Sequence, residues 1–258
     1  MKMKLTAHLP STTPTALHRA TTHPFLRHAG SGTLPKTTLA AWLSQDRLYA
    51  QTYVRFIGQL LSKVHLPKTP SKPNNPSITE KILEVLIDAL NNIHRELQFF
   101  EDVAREYGLD LNTNTPPEES DPEVQGMFAP APITQGYIDM FLSAASPGNS
   151  LLEGLVVLWA TEVCYLKAWR YAADFLQKSA AAGNRSEEDG GALREKFIPN
   201  WASDEFEEFV NKIGDVVDEF ARQELGEELK GDEALDRCER WWRQVIWLEE
   251  RFWPHVQE

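Results

Sequence analysis

Three carboxylates stand where an ordinary core would place none. The stretch "LWATEVCYLKAW", Leu158 to Trp169, reads as a buried helix, yet Glu162 sits in its middle. Glu162, Tyr165 and Trp169 share one helical face, Trp159 lies one turn before Glu162, and Thr161 lies one turn before Tyr165. Asp46 repeats the pattern, with Trp42 four residues before it and Tyr49 and Tyr53 three and seven after it. Near the end of the chain, Glu249 lies between Trp247 and Phe252, with Trp253 one turn on, while its neighbour Glu250 reads as solvated. Burying a charge is costly unless it is paired, protonated or used. Each acid alone could be a satisfied polar group at a helix interface. If the three faces meet, however, they enclose an aromatic cavity carrying several carboxylates. Such a cavity suits a small, flat, nitrogen-rich ligand, because carboxylates accept hydrogen bonds from amino groups and protonated ring nitrogens.

Competing chemistries lack their residues. A di-iron bundle uses paired Glu-x-x-His motifs, but His94 has Asn91 three positions before it, and no second such motif appears. The same shortage of placed histidines argues against haem ligation. There is no Gly-x-Ser-x-Gly elbow and no Gly-rich phosphate loop. No metal ligand set is expected. Cys164 and Cys238 form neither a disulfide framework nor, alone, a structural zinc site, and both are taken as reduced.

The elements that must position these residues are helical. "LPKTTLAAWLSQDRLYAQTYVRFIGQLLSKV" carries apolar residues at spacings of three and four, with Pro35 suited to the first turn. "PNNPSITEKILEVLIDALNNIHRELQFFEDVAREYG" offers Ser77 or Thr79 as a cap, Glu80 three after Ser77, and Gly108 as a stop. "ITQGYIDMFLSAA", "GNSLLEGLVVLWATEVCYLKAWRYAADFLQ", "ASDEFEEFVNKIGDVVDEFARQEL" and "GDEALDRCERWWRQVIWLEERFWPHV" complete the set, with Ser203 as the cap of the third of these. No alternating strand run or hairpin signal is present. Loops are expected near residues 65–77, 110–132 and 179–191. The expectation is an all-α, single-domain helical bundle over residues 1–258.

Composition narrows the partners. The net charge is −12, with no stripe of lysine or arginine, which disfavours nucleic acid. No apolar run approaches the ~18 residues of a membrane span, and the start lacks the apolar block of a secretory signal. These features point to a cytoplasmic protein. Eight tryptophans, three of them in "ERWWRQVIW", suggest a packed helix interface or a pocket for a flat ligand.

At this point the sequence resembles the TenA family, also called thiaminase II, of the haem-oxygenase-like fold. The resemblance runs from about Thr22 to Trp253. It rests on "HPFLRHAGSGTLPKTTLAAWLSQDRLYAQTYVRF", "IHRELQFFEDVAREYGLD", "FIPNWASDEFEEFV" and "WLEERFW". It implies hydrolysis at the aminomethyl carbon of a pyrimidine in thiamin salvage, no cofactor, a small-molecule pyrimidine ligand and a homo-oligomer, dimer or tetramer. Carried over, Asp46 matches the aspartate that holds the 4-amino group, and Glu249 matches the late glutamate that protonates a ring nitrogen. Tyr49, Tyr137 and Tyr165 match pocket tyrosines.

Two departures matter. The family's nucleophilic cysteine lies four residues before its tyrosine, where this chain has Thr161. Cys164 points about 100° away from Tyr165 on a helix and is a poor replacement. Trp201 stands where the family often has tyrosine. The missing cysteine resembles the branch that carries a glutamate instead, linked to amino- and formylamino-pyrimidine breakdown products. Glu162 is then expected to activate water or protonate the leaving group, beside substrate-binding Thr161 and Trp201. A non-catalytic pyrimidine-binding or regulatory protein, and an interaction protein whose acids are interface groups, remain the alternatives.

Overall fold

The computed structural model describes residues 4–69, 71–72, 75–112, 128–181, 187–226 and 233–256. Among them every regular element is helical apart from one isolated bridge, Lys72 with Asn75. In chain order they are α1 (Leu5–Thr12), α2 (Pro14–Thr21), α3 (Pro24–Ser31), α4 (Lys36–Leu61), α5 (Ile78–Tyr107), α6 (Pro132–Ala144), α7 (Leu151–Ala181), α8 (Ile198–Trp201), α9 (Asp204–Leu225) and α10 (Glu233–Phe252). A π-helical turn, Leu193–Phe197, leads into α8. This is an all-α, haem-oxygenase-like fold. No described helix is long and apolar enough to cross a membrane. Most of the expected loop at 110–132 and part of the one at 179–191 lie outside the described residues.

The long helices begin and end where local chemistry directs. Ser77 and Glu80 form a reciprocal capping box at the start of α5, and Gly108 closes that helix in the left-handed region at φ 62°. Ser203 caps α9 by accepting from the Phe206 amide. Pro35 is the residue before α4 rather than its first turn. A second reciprocal cap, Ser150 with Glu153, opens α7 and went unread in the sequence.

Helix α7 is the axis of the molecule. It packs against α3, α9 and α10, and Leu155 to Ala160 are all buried, so the helix is apolar around its whole circumference there. Helix α3 approaches so closely that a Cβ on Gly30 would stand 2.0 Å from the Ala172 carbonyl oxygen. One apolar cluster joins α4, α5, α6, α7, α9 and α10 around Phe56, Phe141, Leu158 and Trp242. A second, aromatic cluster joins α3, α4, α7 and α8 around Phe25, Trp42, Trp169, Trp201 and Trp253. Trp42 and Trp253 stack at 5.7 Å, and Trp169 lies 4.4 Å from Trp201. The three N-terminal helices, each only eight residues long, are tied in by tertiary contacts. The buried Asp218 carboxylate, for example, accepts from the Thr6 amide and hydroxyl at 2.9 and 2.8 Å.

Candidate functional site

Between α4, α5, α7, α8 and α9 lies a cavity of about 930 Å³. Its inner wall carries Asp46, Tyr49 and Tyr53 from α4 and Glu162 and Tyr165 from α7. Spacings of three and four put each set on one face, and packing of α4 and α7 turns the two faces toward each other.

Each carboxylate is held by a phenol from another helix. Tyr53 donates from Oη to Glu162 Oε1 at 2.5 Å. Tyr165 donates from Oη to Asp46 Oδ2 at 3.2 Å. Tyr137, on α6, donates from Oη to Glu249 Oε1, on α10, at 2.7 Å. Among the described residues, no lysine, arginine or histidine pairs with any of these three acids. A hydrogen bond to a neutral phenol offsets only part of the lost hydration. Burial therefore raises all three carboxyls: Glu162 to about 7, Glu249 to about 8, and Asp46 well above the usual carboxylate range. For Asp46 the charges of Glu96, Glu249 and Glu162 add to the rise, opposed by the Tyr165 hydrogen bond. Burial also raises the phenols of Tyr49, Tyr53, Tyr137 and Tyr165, keeping them neutral donors. Buried carboxyls poised near neutrality, around a cavity, can take up and return a proton during a reaction.

The expected site residues separate into two layers. Asp46, Tyr49, Glu162, Tyr165 and Trp201 border the cavity. Glu249 and Tyr137 lie deeper, behind Tyr49, whose ring meets that of Tyr137 edge-on at 5.1 Å. Thr161 is buried, and its hydroxyl donates to the Val157 and Leu158 carbonyls at 3.2 and 3.0 Å while also interacting with the Tyr49 hydroxyl. Cys164 is fully buried in the apolar core, and burial pushes its thiol well up, so it offers no thiolate. Cys238 is also buried and free. Among the described residues no group of three or more His, Cys, Asp or Glu side chains is arranged to hold a metal.

Two further residues belong to the site. Tyr53 shares the Asp46 face in the sequence, but its partnership with Glu162 appears only when α4 meets α7. Glu96, on α5, stands in "HREL", which reads as a solvated run. Its signal was the spacing of Ala89, Ile93, Glu96 and Phe100 along one face. Glu96 Oε1 accepts from the Trp201 indole N–H, and Oε2 accepts from Asn200 Nδ2 at 3.2 Å. Burial raises its carboxyl to about 7. Trp201, in place of a tyrosine, thus supplies an N–H donor while its ring stacks on Phe197 at 4.7 Å.

Comparison with known proteins supplies a context for this geometry. A "Probable transcription factor" of Fusarium pseudograminearum is 32% identical over 277 aligned positions, covering 98% of this chain. The chain spans only about half (52%) of that relative's length. A soybean protein named "Probable bifunctional TENA-E protein" is 19% identical, with 84% of this chain and 80% of the relative covered. A TenA homologue from Pyrococcus furiosus superposes with a TM-score of 0.72 at 24% identity, covering 96% of this chain and 98% of its own. A TenA homologue from P. horikoshii gives 0.68 at 20% identity, with 97% of each chain covered. The TENA/THI-4/PQQC family profile matches residues 10–257, and this chain belongs to that family.

Proposed function

We propose that the protein hydrolyses the C–N bond of an aminomethyl- or formylaminomethyl-pyrimidine to give the hydroxymethyl pyrimidine, as in thiamin salvage. The observation that carries this reading is the set of Asp46, Glu162 and Glu249. Each is held by a tyrosine hydroxyl and, among the described residues, none is paired with a cation, around or just behind one aromatic cavity. Family membership supports chemistry on an aminopyrimidine in general terms.

In this mechanism Asp46 accepts a hydrogen bond from the 4-amino group. That favours donation of the amino lone pair into the ring and loosens the bond between the exocyclic methylene and its nitrogen. Glu162, ionised at the start, takes a proton from the entering water as the water oxygen bonds to the methylene carbon and the C–N bond breaks. An ammonium substituent departs as ammonia with the protons it already carries, and a formylamino nitrogen receives the water's proton from Glu162 and departs as formamide. Glu249, protonated at neutral pH and placed behind Tyr49, is the donor assigned to a ring nitrogen on the deep side. No thiolate is required, which accords with Thr161 at the position of the family's cysteine and with the burial of Cys164.

The test is a timed assay of purified protein with 4-amino-5-aminomethyl-2-methylpyrimidine, its formyl derivative and thiamin, following appearance of the hydroxymethyl product. Turnover of either amine and not of thiamin is expected. Turnover of thiamin, or of none of the three, overturns the reading. The Fusarium relative's name favours a second reading, a pyrimidine-binding regulatory protein. Tight product binding with no turnover would select it.

A further inference from the structure

The proposed chemistry leaves Glu96 without a task. Its environment is built as carefully as those of the acids that have one. Two donors from one short segment, Asn200 Nδ2 and Trp201 Nε1, occupy one lone pair on each of its oxygens. A carboxylate has about four acceptor positions, so capacity remains on the side that borders the cavity. Glu96 stands near enough to the inner wall for its charge to raise Asp46, Glu162 and Tyr165. The cavity therefore brings three carboxyls to bear on one small volume.

The outer wall carries the basic side chains His94, Arg95 and Lys212. Lys212 contacts Glu84 and Asp88 at 2.7 Å each, and the largely exposed Arg95 donates to Asn92 and lies 3.9 Å from Glu205. A phosphate or carboxylate seated at the inner wall would meet Asp46, Glu96 and Glu162 there. A positive group would be drawn to them. Trp201 and Asn200 fix the Glu96 carboxyl in place, so little ordering cost remains when it accepts a further donor.

We propose that Glu96, held by Trp201 and Asn200, is a positioning and specificity residue that grips the charged nitrogen of the substituent and favours the aminomethyl pyrimidine, bound as its ammonium, over the neutral formyl derivative, the alcohol and the alcohol's phosphate. This rests on the aminopyrimidine reading of the cavity. Glu96 neither delivers the proton nor activates water. It places the leaving nitrogen within reach of Glu162, and it loosens its hold once the product carries a neutral hydroxyl instead.

The experiment compares wild type, Glu96→Gln and Asn200→Ala. It measures KM and kcat for the aminomethyl pyrimidine, and the Kd of the hydroxymethyl pyrimidine and of its phosphate. A charge-assisted hydrogen bond is stronger than a neutral one by enough to read clearly. Glu96→Gln is expected to raise KM for the amine about tenfold or more, with kcat changed less than about threefold and alcohol Kd within about twofold. Asn200→Ala, at an exposed position, is expected to move the same ratio in the same direction by less. It carries the test if Glu96→Gln fails to fold. Equal losses for amine and alcohol, no loss for either, or tight binding of the phosphate overturns the assignment. If wild type binds the amine without turning it over, the reaction reading fails while amine Kd replaces KM in the same comparison. If wild type binds neither amine nor alcohol, the aminopyrimidine reading and this assignment fall together.

Discussion

Replacing Glu249 by glutamine should make the protein more stable and less active, and the stability gain should grow with pH. Glu249 is 4% exposed, and its carboxylate accepts from the Tyr137 hydroxyl. Glutamine keeps the size and the acceptor oxygen for Tyr137 while removing the ionisation. Burial raises the carboxyl from 4.5 to about 8. In the unfolded chain it ionises near its ordinary value, so the folded state binds the proton more tightly. The stabilisation this represents is complete below pH 4.5 and is lost as pH rises through about 8. At about 1.4 kcal/mol for each tenfold in proton affinity, the ceiling is roughly 5 kcal/mol. Relaxation and water entry lower it, and a change of about 2–3 kcal/mol between pH 5 and pH 9 is expected.

Urea unfolding of wild type and Glu249→Gln in parallel, at several pH values, reads this difference directly, because groups shared by both proteins cancel. The curves should converge near pH 5, separate progressively between pH 5 and 8, and run parallel above that. Hydrolysis should fall by about a hundredfold or more if Glu249 is the donor to the ring. A stability difference independent of pH would falsify the raised pKa, and the role of Glu249 as a protonated donor at neutral pH would fall with it.

Other outcomes follow from the same geometry. With Glu162 at about 7 and Glu249 at about 8, kcat should be bell-shaped with limbs near those values, belonging to the coupled pair. Glu162→Gln should abolish the acid limb and most of the rate, and a full rate in that variant would remove Glu162 from the mechanism. Tyr53→Phe deletes the donor that holds Glu162 ionised, so the acid limb should move up by about half a unit to one unit. An unmoved limb would show that Tyr53 does not set this proton affinity. Gly30→Ala drives a methyl into the Ala172 carbonyl and should cost about 3 kcal/mol, a fall of roughly 6–12 °C in Tm. An unchanged Tm would mean that α3 and α7 can separate freely.

What could be read in the sequence depended on whether a residue's role is set along its own helix or across two. Asp46, Tyr49, Glu162, Tyr165 and Glu249 announced themselves because each acid interrupts an apolar period on its own element. Caps at Ser77 and Ser203 were legible for the same reason. The pairings were not legible, because Tyr53 with Glu162 is a contact across 109 residues and Tyr137 with Glu249 one across 112. Glu96 was hidden by its neighbours, since His94 and Arg95 make the run look solvated while only every third or fourth residue turns inward. Helices α1 to α3 were missed because each is only eight residues long, too short for a helical period to repeat, and Pro10 lies inside the first. They are held by contacts such as Thr6 with Asp218, which no local rule contains.

Thr161 makes the sharpest case for reading the position by its surroundings. A cysteine there would sit one turn from Tyr165. Threonine instead turns its hydroxyl to the carbonyls of Val157 and Leu158, the ordinary habit of a helical threonine, and also meets the hydroxyl of the cavity residue Tyr49. Glu162, the next residue, turns toward the cavity and meets Tyr53. Neighbours on a helix point about 100° apart, so this carboxylate cannot occupy the cysteine's position. It approaches the cavity from another direction. A group at that angle is poorly placed to add to the ring carbon a thiolate would attack, and well placed to serve the exocyclic substituent. On the proposed aminopyrimidine reading, the substitution therefore moves proton handling to the exocyclic substituent, and it removes the thiolate with which thiamin-cleaving members of the family attack the ring.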